Sequence, residues 1–449
     1  MADLQSPAPP FVVRAVSRTD VGMRRATNQD AVAISPHSAE GRIDGDAFLM
    51  VADGMGAHAA GELASKLATD TIPLTYFKSG GEAPPTALRR AIRQANDKIH
   101  QKGASAAEFY GMGTTCSCLV LTQGAALVGH VGDSRVYRLR DGVFEQLTFD
   151  HSLVWEMAAA SKVSADRVPS CIPKNVITRS LGPHKTVIVD LEGPHALQQG
   201  DVFLLCSDGL TGVVDDSLAA SLLSTLSPTD AAEALVNLAN LRGGPDNISV
   251  IVAQIETATG DTASGTPAAN RPKLQISSFG VGIAAVCAVA CAVFFYGGNP
   301  VGALASAIGL GVALALSFVK RPASRPAVLS PLLGDALGNG PYRRTECGDH
   351  AAAAGDLRDL VSELSNLKSE EETVRPEDIP LQNGNGTPAA VMLDWSPLKE
   401  RQQAADEAFD RGDYVGSITR YSEIIAQAMA AIRNDDDTHR FSAHTEVIS

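Results

Sequence analysis

Five aspartates carry the first chemical signal in this sequence: Asp30, Asp53, Asp133, Asp208 and Asp246. Each sits beside or close to the end of a strand-like run, and four of them have glycine within two residues. Asp53-Gly54-Met55-Gly56 closes the apolar run Ala47-Phe48-Leu49-Met50-Val51-Ala52, and Asp208-Gly209 closes Val202-Phe203-Leu204-Leu205-Cys206-Ser207. A carboxylate at the end of a buried strand needs a cation, a hydrogen-bond donor or solvent to meet it, and neighbouring glycines let other groups approach the backbone closely. A set of aspartates without His or Cys suits hard ions such as Mg²⁺ or Mn²⁺, which take oxygen ligands and keep several waters. Two such ions about 3.5–4 Å apart can hold a bridging hydroxide and the oxygens of a phosphoryl group together. Arg24 and Arg25 lie in the same polar turn as Asp30, and a guanidinium offers phosphate a two-pronged fork. One Asp-Gly pair is an ordinary turn; the weight rests on five acidic strand ends in one chain.

The elements that must position these residues can be read from periodicity and turn residues. Strands are expected at 11–17, 31–34, 47–52, 115–122, 125–131, 135–139, 143–147, 187–191, 202–207 and 248–255, and helices at 59–77, 85–101, 154–160, 217–226 and 228–241. Between 152 and 182 the pattern weakens into a flap-like stretch with Pro169 and Pro173. Cys116 and Cys118 share one strand face and read as packing residues rather than ligands.

At 449 residues the chain has room for roughly two to four structural units. A net charge of −14 with a pI near 5.2 argues against a general nucleic-acid binder. Seven cysteines without a paired framework fit a reducing compartment. Residues 1–10 read as a loose leader without the basic start and apolar stretch of a cleavable signal, and 11–256 as the main domain. A Thr/Ala/Gly/Ser/Pro-rich linker follows at 257–275, then two charge-free apolar runs within 276–319 joined by Gly297-Gly298-Asn299-Pro300. Each run is close to the about 20 residues that cross a bilayer as a helix, so a transmembrane helical hairpin is expected. Arg271 and Lys273 precede it and Lys320, Arg321 and Arg325 follow, which places both termini in the cytoplasm at the inner cell membrane. Residues 320–395 read as a disordered tail with one short helix at 356–371, and 396–434 as a helical region and candidate protein-partner surface. Its Ala404–Tyr414 stretch with Tyr421 resembles half a tetratricopeptide repeat; about three such units are needed for a solenoid, so a helical hairpin is the plainer expectation.

In chain order, Asp20-Val21-Gly22 through Arg25, Asn28 and Asp30, then Asp53-Gly54-Met55-Gly56, Gly113-Thr114-Thr115, Gly132-Asp133-Ser134-Arg135, Asp150-His151-Ser152, Ser207-Asp208-Gly209-Leu210 and Gly244-Pro245-Asp246-Asn247 resemble the PP2C-type (PPM family) metal-dependent protein serine/threonine phosphatases, in their bacterial form. The resemblance covers about residues 11 to 255. It implies an α+β fold with a central antiparallel β-sandwich flanked by helices and the metals in a cleft at one end. It further implies that Asp53 bridges two ions, that the Gly54 carbonyl binds one, and that Asp208 and Asp246 complete the pair. Asp133 corresponds to the ligand of a third, weaker ion, Asp30 to a residue acting through metal-bound water, and Arg25 to the phosphate-binding arginine. The implied reaction is attack of metal-activated water on phosphoserine or phosphothreonine in proteins, without a phosphoenzyme, opposite a Ser/Thr kinase. Met55 stands where some members carry the His that protonates the leaving alkoxide; His58 is the nearest candidate for that task, with metal-bound water the alternative. Two other readings stand beside this one: a phosphatase-fold scaffold that binds phosphoproteins without turning them over, and a membrane adaptor working through residues 322–449.

Overall fold

Two antiparallel sheets pack face to face in the computed structural model, which describes residues 11–257, 333–371 and 396–445, except 39–40, 58, 164–166, 170, 174–175 and 349, and also Gly297. The strands are β1 (Phe11–Asp20), β2 (Asp30–Ser35), β3 (Arg42–Asp44), β4 (Ala47–Met55), β5 (Gly113–Thr114), β6 (Cys116–Thr122), β7 (Ala125–Val131), β8 (Arg135–Arg140), β9 (Val143–Gln146), β10 (Asp190–Ala196), β11 (Val202–Cys206), β12 (Ile248–Thr257) and β13 (Arg343–Glu346). One sheet runs β13-β9-β8-β11-β12-β1-β3 and the other β10-β7-β6-β4-β2, with β5 added to the end of β4.

Both faces of the central strands are covered, which is why they read as nearly continuous apolar runs. Leu49, Val51, Leu119 and Val128 of one sheet meet Val13, Phe203, Leu205 and Ile251 of the other in the interior. The alternate residues Met50, Ala52, Cys118 and Val120 face outward against α1 (Ala60–Phe77) and α2 (Pro84–Gly103). On the opposite side α5 (Asp216–Thr225) and α6 (Pro228–Leu241) cover Leu204, Val250 and Val252. Burial of a Leu or Ile side chain contributes roughly 1.5–3 kcal/mol, so the two outer layers matter to stability as much as the interior does. Two shorter helices, α3 (Leu153–Ser161) and α4 (Asp208–Thr211), lie in the connections.

Three differences from the sequence reading have physical causes. The strand expected at 187–191 runs instead over Asp190–Ala196, because Pro194 sits on an edge strand, where proline is tolerated. The three-residue β3, with its exposed Arg42 and Asp44, is too short and polar to announce itself. The largest correction concerns residues 333–355 of the tail expected to be disordered over 320–395: Leu337 bridges to Gly193, β13 pairs with β9, and α7 (His350–Glu371), which contains the short helix expected at 356–371, buries Ala354, Leu357 and Val361, while 320–332 and 372–395 lie outside the described residues. Those apolar residues form one helical stripe, which the Gly-, Pro- and acid-rich composition around it obscures.

The helices α8 (Ser396–Asp410) and α9 (Tyr414–Thr445) form a pair turned at Gly412, tied by the Tyr421 hydroxyl donating to Asp406 at 2.6 Å. Ile418, Tyr421, Ile424 and Ala428 join the same buried cluster as α5 and α6. The described residues 11–257, 333–371 and 396–445 thus belong to one compact unit. The expected linker beyond 257 and the hairpin at 276–319 lie, apart from Gly297, outside the described residues. Among the described residues no helix is long and apolar enough to cross a membrane.

Candidate active site

Strand pairing brings the five aspartates to one end of the sandwich. Asp30 opens β2 directly opposite Asp53 near the end of β4; Asp133 occupies the β7–β8 turn, Asp208 follows β11 as the first residue of α4, and Asp246 precedes β12. Arg25 arrives on the β1–β2 loop, where its Nη2 donates to Asp246 Oδ2 at 2.7 Å. Arg24 is exposed. His58 lies outside the described residues, and so does part of the flap-like stretch.

Close backbone approach explains the glycines. A side chain on Gly54 would lie 2.2 Å from the Gly61 carbonyl oxygen and 2.5 Å from that of Gln29, while the Gly54 N–H donates to the Gln29 carbonyl at 3.1 Å. Only glycine lets the end of β4 lie between the β2 entry and the first turn of α1. Gly22, with φ of +79°, passes equally close to the Asp246 carbonyl.

Several neutral side chains fix the loops. Asn247 donates from Nδ2 to the Val21 and Thr27 carbonyls at 2.8 and 3.0 Å, and its Oδ1 accepts from the Gln29 N–H at 2.8 Å. It clamps the arginine-bearing loop to the Asp246 turn. Ser207 Oγ donates to Asp30 Oδ2 at 2.7 Å and accepts from the Ser249 N–H. Thr115 Oγ1 accepts from the Asp53 N–H at 2.8 Å and is hydrogen-bonded to Ser134 Oγ beside Asp133. Arg135 and Asp150 form a buried two-pronged pair at 2.8–3.0 Å, and His151 Nδ1 accepts from the Gly132 N–H, so this pair of side chains fixes the Asp133 turn. Ser207 and Asn247 stand next to aspartates in the sequence and Arg135 two residues from one, and that proximity was the one available signal of their supporting roles. We expect Asn247→Ala to lower the unfolding free energy in urea by about 3 kcal/mol, since three hydrogen bonds contribute about 1 kcal/mol each.

The aspartates shift one another's titration. Burial first, then the charges of Asp30, Asp208, Asp133 and Asp246, push Asp53 well above the usual carboxylate range. Burial raises Asp133 to about 8, with Asp208 and Asp150 adding to it. Burial likewise raises Asp30 to about 7, against the hydrogen bond from Ser207. Asp208 is raised by burial and by Asp246, while the hydrogen bond it shares with Asp53 pulls the other way.

Three carboxylate oxygens, Asp30 Oδ1, Asp133 Oδ1 and Asp208 Oδ1, are buried without any hydrogen-bond partner. Buried acceptors left unpaired are costly, and an all-oxygen set of this kind suits Mg²⁺ or Mn²⁺. Among the described residues no three acidic, His or Cys side chains already close on one point. The unpaired oxygens weigh more than that spacing, and the donor set fits divalent ions.

The Protein phosphatase 2C family matches residues 23–241. Protein phosphatase PhpP of Streptococcus pneumoniae is 35% identical over 241 residues, covering 53% of this chain and 95% of PhpP. The serine/threonine phosphatase stp of Listeria monocytogenes is 35% identical over 242 residues, 53% of this chain and 94% of stp. The solved catalytic domain of the serine/threonine protein phosphatase PstP, in complex with two manganese ions, is 31% identical, with a TM-score of 0.47, over 55% of this chain and 99% of that one. The chain belongs to the protein phosphatase 2C family.

Proposed function

We propose that this protein removes phosphate from phosphoserine and phosphothreonine in proteins, with Mn²⁺ or Mg²⁺ held by its aspartates. The observation that carries this reading is the trio of buried, unpartnered carboxylate oxygens on Asp30, Asp133 and Asp208 in a site that also holds Arg25. Asp53, the Gly54 carbonyl, Asp208 and Asp246 would hold two ions, and Asp133 a third. When bound, the ions supply a nucleophile at neutral pH and neutralise phosphoryl charge. Arg25 uses one nitrogen on Asp246, and its other donors are left to grip phosphate oxygens. Asp30, its Oδ2 fixed by Ser207, keeps Oδ1 as an acceptor that orients an attacking water. Met55 has no proton to give a leaving alkoxide, and His58 is our candidate donor.

The test is Mn²⁺-dependent hydrolysis of para-nitrophenyl phosphate and of a phosphothreonine peptide by the full chain. Asp208→Asn is expected to lose at least about a hundredfold in rate. A folded wild type as inactive as the variant would reject the enzyme and favour a phosphoprotein-binding scaffold.

Anchoring in the inner cell membrane, with both termini cytoplasmic, is supported by the charge-free apolar runs of 276–319 and the basic residues flanking them. The full chain should stay with membranes through carbonate washing and be released by deletion of 274–320. Recovery of the intact chain as soluble protein would end this reading. The chemistry calls for a Ser/Thr kinase as the source of substrates, and α8–α9 offer a surface for a further protein partner.

A further inference from the structure

The two sheets have four outer edges, and three are protected in recognisable ways. At one end of the first sheet β13 is short and charged, Arg343-Arg344-Thr345-Glu346, and at the other β3 has only three residues, two of them charged. In the second sheet β10 carries Pro194 and is bridged by Leu337. Short length, charge, proline and covering chain are the usual means of blocking a sheet edge. The fourth edge, β2, reads Asp30-Ala31-Val32-Ala33-Ile34-Ser35 and has none of these after its first residue.

The pairing shows which backbone groups β2 leaves open. Gly54 N–H donates to the Gln29 carbonyl, and Asp30 faces Asp53 in register, so Asp30 and Asp53 form a non-hydrogen-bonded pair. By the alternation of antiparallel ladders, Ala31, Ala33 and Ser35 bond to β4, while the N–H and C=O groups of Val32 and Ile34 and the C=O of Asp30 point away from it. The Asp30 N–H is taken by Asn28 Oδ1 at 3.0 Å. Among the described residues the outward groups of Val32 and Ile34 have no partner. The Val32 and Ile34 side chains pack toward the interior between the sheets and Ala33 packs toward α1, so the strand is held in place while its edge stays open. That edge lines a groove of about 270 Å³ with Asn28, Asp30 and Val32 on one wall and Glu62, Lys66 and Thr69 of α1 on the other. The groove is continuous with the candidate active site, because Asp30 belongs to both.

We propose that β2 is the docking strand for the phosphoprotein: an extended segment of the substrate adds to its edge as a further strand, which carries the phosphorylated Ser or Thr to the site beside Asp30. Strand addition takes affinity from main-chain hydrogen bonds and specificity from alternate side chains. Every second side chain of the added segment would therefore lie along the Glu62–Lys66–Thr69 wall. This mode accepts many sequences, provided the segment can extend, and it rejects phosphorylated residues inside helices. The inference rests on the phosphatase reading above.

The test compares three phosphothreonine peptides of one sequence with the Mn²⁺-loaded full chain: the parent, one N-methylated at alternate residues, and one N-methylated at the intervening residues. Methylation has the same general effect on chain stiffness in both analogues, but only one set of amides faces β2. One analogue is expected to lose about tenfold or more in kcat/KM, and the other to stay within about twofold of the parent. Two analogues that match the parent, or that fall equally, overturn the proposal. If neither para-nitrophenyl phosphate nor the parent peptide is hydrolysed, it is the phosphatase reading that fails.

Discussion

Asp53→Asn is expected to reduce Mn²⁺-dependent phosphatase activity by about a thousandfold or more and, in the metal-stripped protein at pH 8, to raise the melting temperature. The two effects have one cause. Burial and four neighbouring carboxylates keep Asp53 protonated far above its ordinary range, whereas in the unfolded chain it ionises near pH 4. A group with a raised native pKa contributes its stability fully below the unfolded value and loses it as pH rises toward the native one. Metal-stripped wild type should therefore weaken steadily from about pH 4 upward, through the ranges where Asp30, raised to about 7, and Asp133, raised to about 8, add their share. Asparagine has nothing to ionise, so its advantage over aspartate grows with pH and vanishes near pH 4.

Mn²⁺ should reverse the ranking. An ion that binds only the native state stabilises it by mass action, and wild type offers the carboxylate that the variant lacks. Melting temperatures measured at pH 5 and pH 8, with Mn²⁺ and after chelation, give the four comparisons required. Wild type should be the less stable protein at pH 8 without metal and the more stable one with it. If the ranking does not cross, the aspartates are not a shared metal site.

The catalytic half of the chain was legible because its chemistry sits at strand ends, where a buried apolar run stops abruptly at Asp-Gly. Asp53-Gly54 and Asp208-Gly209 combine a strong local pattern with a steric demand, and the 2.2 Å approach of the Gly61 carbonyl to the position a Gly54 side chain would take shows that demand directly. Asn247 was not legible in the same way. An asparagine after an aspartate says nothing about the Val21, Thr27 and Gln29 backbone groups it holds, all more than two hundred residues away in the chain. In the C-terminal segment the helices read at 356–371 and 396–434 are present in α7, α8 and α9, whereas β13 and the first turn of α7 were not legible. Arg343-Arg344-Thr345-Glu346 has no apolar alternation, and the small Ala353 and Ala354 show a buried face only against the cluster they share with α5 and α6. The open edge of β2 is likewise a property of the sheet order: the strand itself was read at 31–34, but which side of it lacked a neighbour depends on strands distant in the chain.

Ile424→Ala, in the helix α9 farthest from the aspartates along the chain, is expected to destabilise the whole phosphatase unit by about 3 kcal/mol in urea unfolding. Ile424 is fully buried and shares one cluster with Leu222, Leu235 and Leu238 of the helices that cover the first sheet. A cavity there loosens packing on both sides of the seam, so unfolding should remain a single transition shifted to lower denaturant. The same helix reaches the active-site loop. Arg433 Nη2 pairs with Asp20 Oδ2 at 2.6 Å, and Asp20 Oδ1 in turn accepts from the Gly22 N–H and Asn240 Nδ2. That pair is partly exposed, so Arg433→Ala should change stability by no more than about 1 kcal/mol and serves as the control for effects that travel through charge rather than packing. Should Ile424→Ala instead produce two transitions, with the catalytic one unmoved, residues 329–449 would be an appendage docked on a self-sufficient domain. A single shifted transition would show that the phosphatase core extends through the returning C-terminal chain.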